Sequence, residues 1–161
     1  MKSDSIDLHA KEKLNALSLL ANARRFFGNF QGSISASVEA IEMARSLDSQ
    51  SGEFSILLNM AKTAFEMGDR EAGYGYIDRI ISSGADSDNA KVLANVSAAY
   101  GVKVIELYTD NRFREGLEEG RQRGKAGYHL YNRLLITSLP LDIRVLSTNV
   151  LLATIFPFFV L

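Results

Sequence analysis

The stretch LLNMAKTAFEMGDREAG, residues 57–73, decides the fold that the sequence predicts. Its apolar residues recur at three- and four-residue spacing, which is the pattern of a helix with one buried face. Gly68 interrupts that pattern, and Asp69 is a residue type that caps a following helix by accepting a hydrogen bond from a first-turn amide. The stretch therefore predicts a helix, a tight turn and a second helix.

Two other places in the chain show the same break in a helical pattern. In LANARRFFGNF, residues 20–30, Gly28 ends an apolar helical pattern 40 residues before Gly68. TDN at 109–111 breaks the chain again, a little over 40 residues after Gly68. We place the third turn there rather than at Gly101, because VKVIELY continues the helical pattern beyond that glycine. A fixed period of this length indicates repeated helical hairpins.

The predicted fold class is all-α, because strand-like alternation of apolar and polar residues is scarce. Repeated hairpins stack into an α-solenoid, since no single hairpin can bury its apolar face. We expect one helical-repeat domain over residues 1–161, with about seven to eight helices. Hairpins are predicted at about 7–47, 53–83 and 88–127, with closing helices at about 128–161, the last of which begins near Pro140.

Local patterns also predict helix ends and core residues. LDSQSG at 47–52 predicts a turn, and Asp86 to Asp88 supplies cap candidates for the helix that runs to about Tyr108. The apolar stripe of the second helix is predicted to be Ile34, Val38, Ile41 and Ala44. The aromatic residues around the turns are interpreted as core, namely Phe26, Phe27, Phe30, Phe54 and Phe65.

At these residues the chain resembles a tetratricopeptide-type repeat, in the longer variant of roughly 40 residues. In residues 20–30 the resemblance lies in a small residue and an Asn near mid-helix, followed by Gly, Asn and an aromatic residue. In residues 57–73 it lies in Gly68, Asp69 and Ala72. The resemblance covers roughly residues 7–130, and it implies a right-handed α-solenoid of antiparallel hairpins.

The resemblance also implies where a partner would bind. The first helices of successive hairpins would form a groove, in which the family often uses Asn and basic side chains to hold an extended peptide's backbone or carboxylate. Matching positions here are Asn22 and Arg25 in the first copy and Asn59 and Lys62 in the second. Further candidates on a charged helix face are Arg114, Arg121 and Lys125.

The composition argues against several kinds of chemistry. The chain has no cysteine, so a thiolate nucleophile, a disulfide framework and a zinc ribbon are excluded. It contains no Gly-x-Ser-x-Gly or P-loop motif. We therefore expect no enzyme, no cofactor and no metal site. The N-terminal residues lack the apolar core of a signal peptide, which together with the absence of cysteine predicts a cytoplasmic protein.

Three functional hypotheses follow from these patterns. The leading one is a non-catalytic scaffold or sensory module that binds a protein or peptide. The alternative is a homo-oligomeric structural or assembly subunit that associates through residues 145–161, which carry no charge but are too short and too polar to favour a membrane span. The third is a nucleic-acid binder using the basic residues of 112–125, against which the basic excess of residues 91–161, nine to six, is modest.

The glycines of REGLEEGRQRGKAG, residues 114–127, are the last feature of the sequence. At 100° per residue, Gly116, Gly120, Gly124 and Gly127 share the apolar face of a helix, whereas most of the charged residues lie opposite. Side-chain-free positions on an apolar face indicate close helix packing. Gly120→Leu is therefore expected to destabilise the fold sharply by overpacking.

Overall fold

The computed structural model describes residues 2–122 and 124, and the side chains of residues 8–122 and 124. Its regular structure is entirely helical over these residues, which confirms the all-α class. The six helices are α1 (Lys2–Phe26), α2 (Phe30–Ser46), α3 (Gln50–Glu66), α4 (Arg70–Gly84), α5 (Ala90–Thr109) and α6 (113–122). Outside the described residues lie Lys125, the expected closing helices at 128–161, Pro140 and the uncharged segment 145–161.

Four helices begin at intervals of 20 residues, because a capping side chain precedes each of them. Asn29, Ser49, Asp69 and Asn89 each accept a hydrogen bond from a first-turn amide of the helix that follows. The prediction for Asp69 is confirmed. The expectation that Asp86 to Asp88 caps α5 is wrong, since Asn89 accepts from the amides of Lys91 and Val92 instead. The turn expected at 47–52 is shorter than predicted, because Ser49 already caps α3.

Four of the helix ends share one reversal of the chain. A residue with positive φ follows each helix, at Gly28, Asp48, Gly68 and Asn111. The next amide then donates to a carbonyl five residues back, as from Asn29 to Arg24 and from Arg112 to Leu107, both at 2.8 Å. This arrangement satisfies carbonyls that would otherwise lack partners and turns the chain back on itself. The third turn therefore lies at Asp110 and Asn111 as predicted, and Gly101 lies buried within α5.

Successive hairpins pack on one another in a repeated way. The first hairpin is α1 with α2 and the second is α3 with α4; α3 contacts both helices of the first, and α5 contacts both helices of the second. Ile56 of α3 lies in a cluster with Leu14 and Leu17 of α1 and with Ala40 and Ala44 of α2. Forty residues later, Val96 of α5 lies in a cluster formed by α3 and α4. The interface between hairpins thus recurs with the period that the sequence predicted.

The first hairpin is held together by small side chains. The buried residues of α2 are Ser33, Ala36, Ser37, Ala40 and Ala44. The predicted stripe is right for Ala44 and wrong for Val38, whose side chain is 47% exposed. Small residues let α2 approach its neighbours closely, so the face that packs is the one with the smaller residues rather than the one with the larger apolar ones.

The aromatic residues divide into two groups. Phe54 and Phe65 are buried, at 3% and 8% exposure, which confirms their assignment to the core. Phe30 is half-buried. Phe26 and Phe27 are 79% and 89% exposed, so their assignment to the core is wrong. They end α1 on a side that no other described helix covers.

The glycine face of α6 packs closely at one position only. Gly116 is buried, and a Cβ there would lie 3.1 Å from the Tyr108 ring. A Cβ at Gly120 would meet only Val104, at 4.0 Å, so the expectation of sharp overpacking in Gly120→Leu is wrong. Leu117, beside Gly116 in sequence, is 59% exposed.

Two glycines of α4 provide a matched test of the packing between α3 and α4. A Cβ at Gly73 would lie 2.5 Å from the Phe65 ring, whereas a Cβ at Gly75 would meet no atom within 4 Å. Phe65 cannot easily move, because it is buried and packs edge-on against Tyr74 at 5.1 Å between ring centroids. We expect Gly73→Ala to lower the free energy of unfolding by about 1–3 kcal/mol through overpacking.

Gly75→Ala is the control, because it adds the same methyl group to the same helix in open space. Its helix propensity should raise the free energy of unfolding by up to about 1 kcal/mol. Urea denaturation followed by circular dichroism measures both variants. Equal effects of the two substitutions would contradict the close contact at Gly73.

Candidate binding face

One side of the molecule is formed by the first helices of the hairpins. Helices α1, α3 and α5 lie side by side, since α3 contacts both of the others. Positions 40 residues apart on these helices have the same orientation, and Asn22, Lys62 and Val102 are one such set. We call this the three-helix face; its half-buried residues are Ser18 and Asn22 of α1, Leu58 and Lys62 of α3, and Ala98 and Val102 of α5.

The three-helix face combines polar and apolar groups in a defined order. The Asn22 amide donates to the Ser18 carbonyl at 3.1 Å, which fixes its orientation on α1. Lys62, in the middle, forms no ion pair with any of the described side chains. Val102 on α5 is apolar. The face therefore presents an amide, an uncompensated positive charge and an apolar patch on three adjacent helices.

Arg25 and Asn59, two other predicted groove residues, lie together but point between the helices. The Arg25 side chain is only 12% exposed, and its Nε donates to Asn59 Oδ1 at 3.2 Å. Its guanidinium also pairs with Glu66. Asn59 is 7% exposed, and its Nδ2 donates to Ser37 Oγ at 3.4 Å. These donors therefore connect α1, α2 and α3 to one another.

Two hydroxyl groups extend this buried network, and the sequence interpretation missed both. Thr63 Oγ1 donates to the Asn59 carbonyl at 2.9 Å. Since that proton is used, Ser33 Oγ donates to Thr63 Oγ1, at 3.3 Å. Every buried side-chain nitrogen or oxygen in the described part of the chain has a partner. The available signal was the set of polar residues at positions 33, 37, 59 and 63, each on the same side of its helix as buried apolar residues.

A second polar cluster joins α4 to the end of α5. The Tyr74 hydroxyl donates to Asp110 Oδ2 at 2.8 Å, and Arg70 Nη2 lies 3.1 Å from Asp110 Oδ1. Arg70 also pairs with Glu106, a hydrogen bond that raises the pKa of Arg70. Burial, then the hydrogen bond to Asp110 and its negative charge, raise the pKa of Tyr74 to about 12. Each group is neutralised by a neighbour, so the cluster fastens helices and has no poised acid or base.

Lys103 connects three helices in a similar way. Its Nζ donates to Asp78 of α4 at 2.8 Å and lies 2.7 Å from Glu119 of α6. Burial alone would lower the pKa of Lys103, but the hydrogen bonds and charges of the two carboxylates outweigh it and raise the pKa. Lys103 is therefore a structural cation.

The charged face predicted for residues 112–125 is mixed in sign. Arg112 pairs with Glu115 at 2.6 Å, and Arg121 lies 3.5 Å from Glu118. Arg114 is exposed and forms no ion pair with a described residue. Local pairing thus reduces the positive charge that this face presents to a partner.

An open cleft of about 820 Å³ lies where the α2–α3 turn meets α1 and the start of α5. Glu53 in this cleft accepts from both Arg45 and Arg79, at 2.8 and 2.7 Å, so its charge is compensated. Over the described residues, no group of three His, Asp or Glu side chains could hold a metal ion. None of the described helices combines the length and the apolar composition needed to cross a membrane.

No protein-family model, curated protein sequence or solved structure matches the chain.

The different roles of Asn59 and Lys62 can be separated by stability measurements. Asn59→Ala removes a buried amide and leaves groups of Arg25 and Ser37 without their partner. We expect it to lower the free energy of unfolding by about 2 kcal/mol. Lys62→Ala, three residues along α3, should change it by less than about 0.5 kcal/mol, because Lys62 has no buried contact of this kind. Similar losses in both variants would show that Asn59 is no more structural than Lys62.

The Tyr74 cluster predicts a pH-dependent contribution to stability. An unfolded tyrosine ionises near pH 10 by about its ordinary pKa, whereas folded Tyr74 ionises near about 12. The folded state thus favours the protonated hydroxyl, whose stabilisation is complete below about pH 10 and is lost as the pH rises to about 12. Tyr74→Phe should cost about 1 kcal/mol at neutral pH.

The difference between wild type and Tyr74→Phe should therefore shrink across that alkaline window. Urea denaturation of both proteins at a series of pH values measures it, and the variant corrects for every other titrating group. A difference that does not change with pH would contradict the raised pKa of Tyr74.

Proposed function

We propose that this chain is an α-solenoid of tetratricopeptide-like hairpins that binds an extended segment of a protein partner along the three-helix face, without a catalytic step. The single observation behind this proposal is the uncompensated Lys62 at the centre of that face. Most other charged groups near the helix interfaces are engaged with one another, as Arg25 and Lys103 are. We keep the cytoplasm as the predicted compartment.

The repeated hairpin interface supports the solenoid part of the proposal. α3 uses Ile56, Asn59 and Thr63 against the first hairpin, and α5 uses Val96, Ala99 and Lys103 against the second. Each set is the other shifted by 40 residues. A regular shift of this kind generates a superhelical array whose successive first helices line one surface.

The dimensions of the three-helix face suit an extended peptide. Packed helices lie about 8–10 Å apart, so three of them span about 20 Å. An extended chain covers that distance with about six residues, at roughly 3.3 Å each. One short segment can therefore contact α1, α3 and α5 at once, which no pair of helices would allow.

The order of groups on the face defines the ligand. Lys62 favours a carboxylate, either an acidic side chain or the C-terminus of the partner, because a charge-assisted hydrogen bond is stronger than a neutral one. Asn22 on one side suits a backbone group, and Leu58 and Val102 suit an apolar side chain. The ligand class is thus an acidic segment that also carries an apolar residue.

The two other hypotheses remain predictions. Self-association through residues 145–161 concerns a segment outside the described residues. Nucleic-acid binding through residues 112–125 would need a stronger positive field than this face presents, since Arg112 and Arg121 pair with acidic neighbours.

A displayed library of random peptides provides the test. Peptides enriched on the wild-type protein are synthesised, labelled and titrated by fluorescence polarisation. Lys62→Glu should weaken binding by about tenfold or more, since the lost charge-assisted hydrogen bond is replaced by repulsion. Arg114→Glu makes the same charge change on α6 and should leave the affinity within about twofold.

Two outcomes would overturn the proposal. One is a library that yields no peptide above background. The other is a set of peptides whose affinity falls with Arg114→Glu and not with Lys62→Glu, which would place the binding surface on α6.

A further inference from the structure

One face of α1 is apolar and uncovered. Ala16, Leu19, Ala23 and Phe26 lie within about 80° of one another on the helix, and all four are exposed. Leu19 is 71% exposed and Phe26 is 79% exposed. Exposing large side chains on one face is unfavourable in water and marks a surface that contacts something else. We call these four residues the α1 end face.

The α1 end face corresponds to an interface that the chain already uses twice. Forty residues later on α3, the equivalent positions pack against the first hairpin; they are Ile56, Asn59, Thr63 and Glu66. Forty residues further on α5, they pack against or pair with the second hairpin; they are Val96, Ala99, Lys103 and Glu106. The α1 end face is therefore a stacking face with no hairpin in front of it.

The α1 end face differs from its two equivalents in chemistry. On α3 and α5 the stacking positions include polar or charged side chains whose partners lie on the preceding hairpin, such as Asn59 with Ser37 and Lys103 with Asp78. On α1 the same positions are two alanines, a leucine and a phenylalanine. A solenoid usually ends in a polar cap, which lacks such residues. The face is suited to an apolar partner.

We propose that the α1 end face is the interface of a symmetric dimer, in which α1 of one copy packs antiparallel against α1 of a second copy. Residue 21 lies midway between 19 and 23 and also midway between 16 and 26. A two-fold axis at that level places Leu19 opposite Ala23 of the second copy and Phe26 opposite Ala16 of the second copy. Each large side chain thus meets a small one, and each pair occurs twice.

Self-complementarity and charge both favour a second copy as the occupant. Large and small residues alternate along the face in an order that matches its own antiparallel image. None of the four side chains is charged, so two copies meet without like-charge repulsion. Antiparallel helices also place the positive end of one helix dipole beside the negative end of the other. The inference does not depend on peptide binding by the three-helix face.

The mass of the full chain in solution tests the dimer. Analytical ultracentrifugation over a wide concentration range should show a dimer for the wild type. Leu19→Glu should shift the protein to monomer with an unchanged helical circular dichroism spectrum, because Leu19 is exposed in the single chain. Val38→Glu is the matched control, as it introduces the same charge at an exposed apolar residue of α2, and it should remain dimeric.

Deletion of residues 145–161 separates this interface from the C-terminal one. The shortened chain should remain a dimer. A wild type that is monomeric throughout, a Leu19→Glu variant that stays dimeric, or a dimer that is lost on the deletion would each overturn the proposal.

Disulfide cross-linking tests the register independently, and it uses small substitutions. The chain has no cysteine, so any disulfide reports only introduced residues. The double variant Leu19→Cys/Ala23→Cys should form a covalent dimer, because it places residue 19 opposite residue 23 of the second copy. Either single variant should cross-link much less, since its two cysteines are offset by about 6 Å along the helix axis. Equal cross-linking of single and double variants would overturn the antiparallel register.

Discussion

The packing of one hairpin on the next is the interaction on which the rest of the structure depends. An isolated pair of short helices cannot bury enough apolar surface to offset the entropy of ordering it. Ile56 of α3 is buried only because Leu14 and Leu17 of α1 and Ala40 and Ala44 of α2 enclose it. The second hairpin provides the same environment for Val96. Each hairpin is thus stabilised by its neighbours, and the surfaces available for function are those that this stacking leaves uncovered.

The two hairpin interfaces are built from different chemistry. The first contains a buried polar network of Ser33, Ser37, Asn59 and Thr63, extended by Arg25. The second is mostly apolar around Val96 and Ala99 and carries its charges at the margin, where Lys103 meets Asp78. Hydrogen bonds fix a unique alignment but contribute little net free energy, whereas apolar burial stabilises without fixing the register as strictly. The first interface therefore sets the alignment of the hairpins, and the second contributes more of the stability.

Local features of the fold could be predicted from the sequence, because their causes lie within a few residues. Gly68 adopts a positive φ and Asp69 caps α4, as their residue types indicate. Long-range features could not be predicted in this way. The exposure of Phe26 and the burial of Ser37 depend on which side of the helix a neighbouring hairpin covers, and hydropathy alone carries no information on that. The same limit applies to Arg25, which has the residue type of a ligand donor but lies where α1 meets α3.

Uncovered residues at otherwise covered positions are the most informative features of a repeat protein. Within the array, a position 40 residues away shows what each side chain would contact if a neighbour were present. Lys62 gains its interest because the surrounding cations have partners in the chain and it has none among the described residues. Leu19 gains its interest because Asn59, its equivalent, is buried against a hairpin. The comparison of equivalent positions therefore separates residues that stabilise the array from residues that remain free to contact another molecule.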